Sequence, residues 1–247
     1  MAERNHIWDR PEALNAIATV LFSCAVVAIG YGLVHAAVRL PVFPLREVRV
    51  TGTAGHVTRD QIEAAVRREL RGNFFTIDLA VARRSFERLP WVRQVEVRRH
   101  WPDRLDIVIE EHVALARWGD TALVNTHGEV FRAASDATLP VFSGPEGSAK
   151  EIAIQYAYFH RSLATIGQIP RQVIVTPRRA WRIRLEHGLT LEVGRDQVEE
   201  RLARFVGAYD QTIGRLGRRI DHVDLRYPNG FAVRIPELKR LETGRKS

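Results

Sequence analysis

A single cysteine, Cys24, stands in 247 residues, which excludes an intramolecular disulfide and a cysteine-built zinc cage. It leaves the compartment open, because a secreted domain can fold without disulfides. Lysine is almost missing too: Lys150, Lys239 and Lys246 are the three, so arginine supplies nearly all of the 37 cations that face 29 acidic residues. The net +8 is spread along the chain with both signs interleaved, not gathered into the basic stripe of a nucleic-acid protein. A mixed, solvated surface is the reading, with no nucleic acid among the partners. The nine histidines show no His-Glu-x-x-His spacing, and neither a Gly-x-Ser-x-Gly elbow nor a phosphate-binding glycine loop occurs. The neighbours Glu110-Glu111 and Glu199-Glu200 point apart on a strand or a helix and make poor acid/base pairs. No catalytic, cofactor-binding or metal-ligating residue is assigned, and no enzyme is expected.

Charge is absent altogether from Ala13 to Val38, 26 residues rich in Ala, Val, Ile, Leu and Phe. As a helix this is roughly 39 Å long, enough for a ~30 Å hydrocarbon core with some tilt. A core helix of that length would show a polar face, and a cleavable signal has an apolar stretch of only about 7–15 residues. An uncleaved transmembrane helix over 13–38 is therefore expected, behind a short tail of residues 1–12. Cys24, Ala28 and Gly32 share one face of it; ordinary membrane-helix composition is preferred to a helix-packing seam. Arg4 and Arg10 precede the segment, and Arg39, Arg46 and Arg49 follow it, so charge bias does not set the orientation.

Residues 43–112 read as β-α-α-β-β, an α+β layer. Val48 and Val50 alternate with Glu47 and Arg49, as in a half-buried strand. Thr58-Arg59-Asp60-Gln61 has the form of a capping box, and Ile62, Val66 and Leu70 then fall on one helix face. Asp78 is the expected N-cap of a second helix that buries Leu79, Ala82, Phe86 and Leu89. Pro90 stops it. Val95 and Val97, then Leu105, Ile107 and Ile109, alternate with polar residues about a turn at Trp101-Pro102-Asp103. Trp91 and Trp101 are read as core or rim aromatics.

Residues 113–236 read as a mainly antiparallel β-domain with two helices, followed by a charged tail, 237–247. Ala122–Val124 and Glu129–Phe131 suggest a hairpin. Ile152, Tyr156, Phe159, Leu163 and Ile166 form a helical stripe. Trp181–Leu185 and Leu189–Val193 alternate across Glu186-His187-Gly188. Asp196 and Glu199 are expected to cap the second helix, whose face is Val198, Leu202, Phe205 and Tyr209. The last two strands are placed at Ile220–Tyr227 and Phe231–Ile235, with Pro228-Asn229-Gly230 between them, since Asn-Gly between alternating runs signals a hairpin.

The stretches Phe43-Pro44-Leu45, Asn73-Phe74-Phe75-Thr76-Ile77-Asp78, Leu89-Pro90-Trp91-Val92 and Arg99-His100-Trp101-Pro102-Asp103-Arg104-Leu105 resemble a POTRA domain. Placed directly after a single anchor, that domain is characteristic of bacterial cell-division proteins of the FtsQ/DivIB family. Arg178-Arg179-Ala180-Trp181, Arg201-Leu202-Ala203-Arg204-Phe205 and Val223-Asp224-Leu225-Arg226-Tyr227 look like the β-domain of the same family. The resemblance spans about residues 13–236.

It implies a non-enzymatic divisome scaffold of the inner membrane. Its N-terminus would be cytoplasmic and its POTRA and β-domains periplasmic, at the septum. The FtsB–FtsL coiled-coil complex would be the partner, with other membrane division proteins meeting the anchor and the POTRA domain. By position in the motifs, Tyr227 would receive an apolar or aromatic partner side chain. Arg178 would meet a partner carboxylate and Arg226 would also touch the partner, the alternative for both being solvated strand-edge charge, and Gly230, Phe231, Val233 and Ile235 would belong to a strand that a partner strand extends. Ile235 stands where an aromatic is expected, so Phe231 would substitute for it in part. POTRA units also serve in outer-membrane assembly and secretion, but the remaining length does not supply the long alternating strands of a barrel. A periplasmic hydrolase on the same anchor is the third, weakest reading.

Overall fold

The computed structural model describes residues 11–39, 44–52, 55–69, 72–215 and 220–235. The tails, Pro41, Phe43, Leu70 and Pro236, on which expectations were placed, lie outside the described residues. The chain divides into two compact units, Met1–Glu111 and His112–Ser247, and each is taken by itself.

Helix α1 runs from Pro11 to Arg39. Its stretch Leu14–Ala37 is long and apolar enough to cross a membrane, and none of it is buried against the rest of the chain. Leu21, Phe22, Val27, Tyr31 and Leu33 are all well exposed, so the apolar surface runs around the helix instead of forming a stripe. Such all-round apolar surface suits a helix that crosses a bilayer.

The first soluble domain has the order β1 (Glu47–Thr51), α2 (Arg59–Glu69), α3 (Leu79–Glu87), β2 (Val92–His100) and β3 (Arg104–Glu111). The capping box forms as expected: the Gln61 amide donates to Thr58 Oγ1 at 3.3 Å, and the Thr58 amide donates to Gln61 Oε1 at 3.1 Å. Asp78 caps α3 through the amides of Ala80 and Val81. In the sheet, β3 lies between β1, which it pairs in parallel, and β2, which it pairs antiparallel. Leu105, Ile107 and Ile109 on β3, with Ala82 and Phe86 on α3, are essentially inaccessible. The buried carboxylate of Glu111 accepts from the backbone amides of His56 and Val57 and ties the start of α2 to the end of β3. Trp91 is half-buried and stacks on His56 at 3.8 Å. Trp101 differs from expectation: it is 78% exposed at the tip of the β2–β3 hairpin.

The second domain holds β4 (Ala114–Trp118), β5 (Ala122–Asn125), β6 (Val130–Phe131), β7 (Val141–Ser143), α4 (Ala149–Ala164), β8 (Pro170–Val175), β9 (Trp181–Leu185), β10 (Thr190–Gly194), α5 (Val198–Tyr209), β11 (His222–Asp224) and β12 (Ala232–Arg234). They form one nine-stranded sheet in the order β12-β11-β10-β9-β8-β7-β4-β5-β6. Most pairs are antiparallel. Two of the parallel joints, β7–β8 and β10–β11, are those bridged by α4 and α5, as parallel neighbours need a crossover. Both helices cover one face: Ile152, Phe159, Leu163, Leu202 and Phe205 are fully buried against Ile183, Leu191, Val193 and Val223. Ile166 follows the end of α4 and still packs on this core.

Two local expectations are corrected. The residue before α5 is Gln197 in a left-handed conformation (φ 52°) with no side-chain cap, and Asp196 instead pairs with Arg195. The final strands are three residues each, not eight and five. The segment 225–231 joins them, and neither Asn229 nor Gly230 has the positive φ of a tight Asn-Gly turn.

Candidate functional site

Strand β12 is the rim of the nine-stranded sheet and, among the described residues, pairs only with β11, His222 opposite Arg234, Val223 opposite Val233 and Asp224 opposite Ala232. Which of its backbone groups remain open follows from alternation along the ladder. The Leu225 amide donates to Glu192 O and Asp221 O accepts from Thr190, so residues 221, 223 and 225 direct their groups toward β10. His222 and Asp224 therefore face β12, opposite Arg234 and Ala232. The N–H and C=O of Val233 consequently point away from the sheet, in phase with those of Phe231 and Ile235. This rim is a template for one more strand.

Side chains obey the opposite parity. Phe231, Val233 and Ile235 are half-buried on the helix-covered face, where the Phe231 ring meets Phe205 edge-on at 5.9 Å. Ala232 and Arg234 are exposed on the other face. The residues with open backbone groups are thus fixed by their own side chains.

Tyr227 is 54% exposed beside the rim. With Pro228, Asn229, Gly230, Phe231 and Ala232 it lines an open depression of about 430 Å³. Its backbone is held from outside the strand: Arg204 on α5 donates to the carbonyls of Tyr227 and Pro228, and Arg201, one turn earlier, donates to Val193 O at 2.9 Å. Sequence reasoning assigned neither arginine a role at this site. Their signal was two cations three residues apart, just after the Glu199-Glu200 pair on the same helix. Gly230 has open space where a Cβ would stand, whereas Gly194 (φ +86°) does not: a Cβ there would lie 2.7 Å from Arg201 Nη1 and 3.1 Å from Arg226 Cγ.

Arg226 and Arg178 occupy different electrostatic states. Arg226, two residues beyond the end of β11, grips Asp224, Nε to Oδ1 at 2.9 Å and Nη2 to Oδ2 at 2.6 Å. The hydrogen bond from the Arg226 guanidinium is the largest influence holding the Asp224 carboxyl below its ordinary range, and it raises the guanidinium in turn. Arg226 is thus an ion-paired cation in the unbound chain. Arg178 is exposed in the β8–β9 turn, and among the described residues it has no hydrogen bond or ion pair, while its neighbour Arg179 pairs with Glu151. Because β9 begins opposite the end of β10 and β11 runs parallel to β10, that turn lies at the same end of the sheet as Tyr227. The ribbon thus gathers Arg226, Tyr227, Gly230 and Phe231, with Val233 and Ile235 along the rim and Arg178 a few strands away.

The arrangement offers backbone pairing, an aromatic and cations. Among the described residues no group of three His, Cys, Asp or Glu side chains could hold a metal ion.

Comparison with known proteins agrees with this organisation. Residues 43–112 match the family description "POTRA domain, FtsQ-type" and residues 116–226 match "Cell division protein FtsQ/DivIB, C-terminal". Among curated relatives, cell division protein FtsQ of Nitrosospira multiformis is 48% identical over 233 residues, covering 92% of this chain and 99% of that protein. FtsQ of Burkholderia pseudomallei is 39% identical over 242 residues, 95% and 97% of the two chains. FtsQ of Escherichia coli is 37% identical over 229 residues, 89% and 81%.

Proposed function

The chain belongs to the FtsQ/DivIB family of cell division proteins, and from that premise we propose that it is a catalytically silent scaffold that takes up an FtsB–FtsL coiled-coil complex on its C-terminal ribbon. The open rim at Val233 carries this reading. A strand from the partner adds to β12 through the outward amides and carbonyls of Phe231, Val233 and Ile235, which supplies affinity without side-chain specificity. Specificity comes from the end of the sheet. Tyr227 packs an apolar or aromatic partner side chain, and Arg178, already unpaired, meets a partner carboxylate. Arg226 exchanges its intrachain carboxylate for, or shares it with, a second one. Gly230 lets the partner backbone approach closely.

In the same reading α1 anchors the chain in the inner membrane with its N-terminus in the cytoplasm. Both folded domains then stand in the periplasm at the septum and link early to late division proteins.

The test is Tyr227→Ala in the full-length chain. An exposed aromatic anchor at an interface contributes about 2 kcal/mol or more, roughly thirtyfold in affinity. Capture of the FtsB homologue should fall by that order while the thermal unfolding midpoint stays unchanged. Undiminished capture would remove Tyr227, and with it the side-chain half of the assignment.

A further inference from the structure

An exposed tryptophan by itself calls for no explanation; the place of Trp101 does. Strands β1 and β3 run in parallel, with Glu47 opposite Arg104, so the β2–β3 turn lies at the end where β1 begins. The contact is direct: the amides of Arg46 and Glu47 donate to Asp103 O at 2.9 and 3.4 Å, and the Arg46 guanidinium approaches the Asp103 carboxylate at 3.7 Å. Arg46 follows Arg39, the last residue of α1, by only seven residues, which even fully extended span no more than about 25 Å. The chain itself therefore ties this end of the domain to the surface of the bilayer that α1 enters.

What that end presents suits such a surface. Trp101 is 78% exposed. Arg99 donates to the carbonyls of Phe74, Phe75 and Ile77 and so holds the α2–α3 loop against the same end, where the Phe75 ring is 41% exposed. Arg46 is three-quarters exposed. Tryptophan prefers the bilayer interface, where an amphipathic ring has both apolar and polar neighbours, and nearby arginines are attracted to anionic headgroups.

We propose that the β2–β3 hairpin tip is a second membrane contact, with Trp101 seated in the interfacial layer beside α1 and Arg46 facing lipid phosphates. This rests on α1 spanning the bilayer. It would fix the tilt of the first domain on the membrane instead of leaving it to swing on its tether.

The full-length chain is reconstituted into vesicles whose acyl chains carry bromine near the headgroup, with either phosphatidylglycerol or phosphatidylcholine as the main lipid. Emission of the wild type is compared with that of Trp101→Phe, and the difference isolates Trp101 from the other four tryptophans. Quenching of that difference in both lipids supports insertion driven by the ring. Quenching in phosphatidylglycerol alone, lost again in Arg46→Glu, supports a contact that needs the cation as well. An unquenched difference in both lipids, for chains that float with the vesicles, overturns the proposal and leaves the anchor intact. Chains that fail to float overturn the anchor and the proposal together. Trp101 is too exposed for the Phe variant to threaten folding, and circular dichroism confirms the fold of each variant.

Discussion

Each soluble domain ends its sheet with a hairpin, and the two place the last strand differently. In the first, β3 enters between β1 and β2 and carries the fully buried side chains Leu105, Ile107 and Ile109. In the second, β12 stays on the rim, paired on one side, with Ala232 and Arg234 in solvent. A strand in the middle satisfies both rows of its backbone groups within the chain and serves stability. A strand on the rim keeps one row open, with a gain in recognition and a hazard of unwanted pairing. The rim here is only three residues long, includes the exposed Arg234 and is half-covered by its own side chains, which limits that hazard.

The largest expected difference is in stability. Ile107→Ala should cost about 2–5 kcal/mol, the range for truncating a fully buried aliphatic side chain. Val233→Ala removes half-buried methyl groups at a rim and should cost about 1 kcal/mol. Urea unfolding of both variants measures the contrast. Equal losses would mean that β12 is as integral to its sheet as β3, and the distinction between closing strand and open strand would fail.

A smaller effect separates the two sides of β12. Ala232→Pro removes an N–H directed at β11 and should weaken the β11–β12 ladder by about 1–3 kcal/mol. Val233→Pro removes an N–H directed outward and should leave that ladder protected from hydrogen exchange, since proline is tolerated on a rim strand. Its effect should fall on partner capture. If Val233→Pro instead unzips the ribbon while Ala232→Pro leaves it closed, the assigned parity is reversed.

Much of this was legible because it is local. The Thr58–Gln61 box, the Asp78 cap and the alternation in β2, β3, β9 and β10 depend on residues a few positions apart, and they form as the sequence indicates. The parallel pairing of β1 with β3 and the crossovers through α4 and α5 depend on contacts far apart in sequence, which periodicity does not encode. At the candidate site, the open position of the last strand came only from the family resemblance, and its length was not legible. The β11–β12 ladder stops at Asp224, where the Asp224 carboxylate accepts from the Arg226 amide as well as its guanidinium. The cap of α5 misled for a related reason: Asp196 has a nearer cation in Arg195. Arg204 went unassigned because its partners are carbonyls across the fold.

The Arg226–Asp224 pair gives the finest test, because one residue bears on both fold and recognition. The folded-state value for Asp224 lies below the ordinary 3.8, so its contribution is fully present above that ordinary value and is lost as pH falls through the lowered one. Asp224→Asn should therefore flatten the acid side of the stability profile, leaving a remainder from Glu192, which Arg182 lowers in the same way. An exposed pair of this kind contributes about 0–1 kcal/mol, so the change in unfolding midpoint at pH 7 should be small. Partner capture has the more informative sign. If Arg226 recruits a partner carboxylate, removing its internal competitor should strengthen capture at neutral pH. If Arg226 only shapes the turn that presents Tyr227, Asp224→Asn should weaken capture, and the cation belongs to the fold instead of the interface.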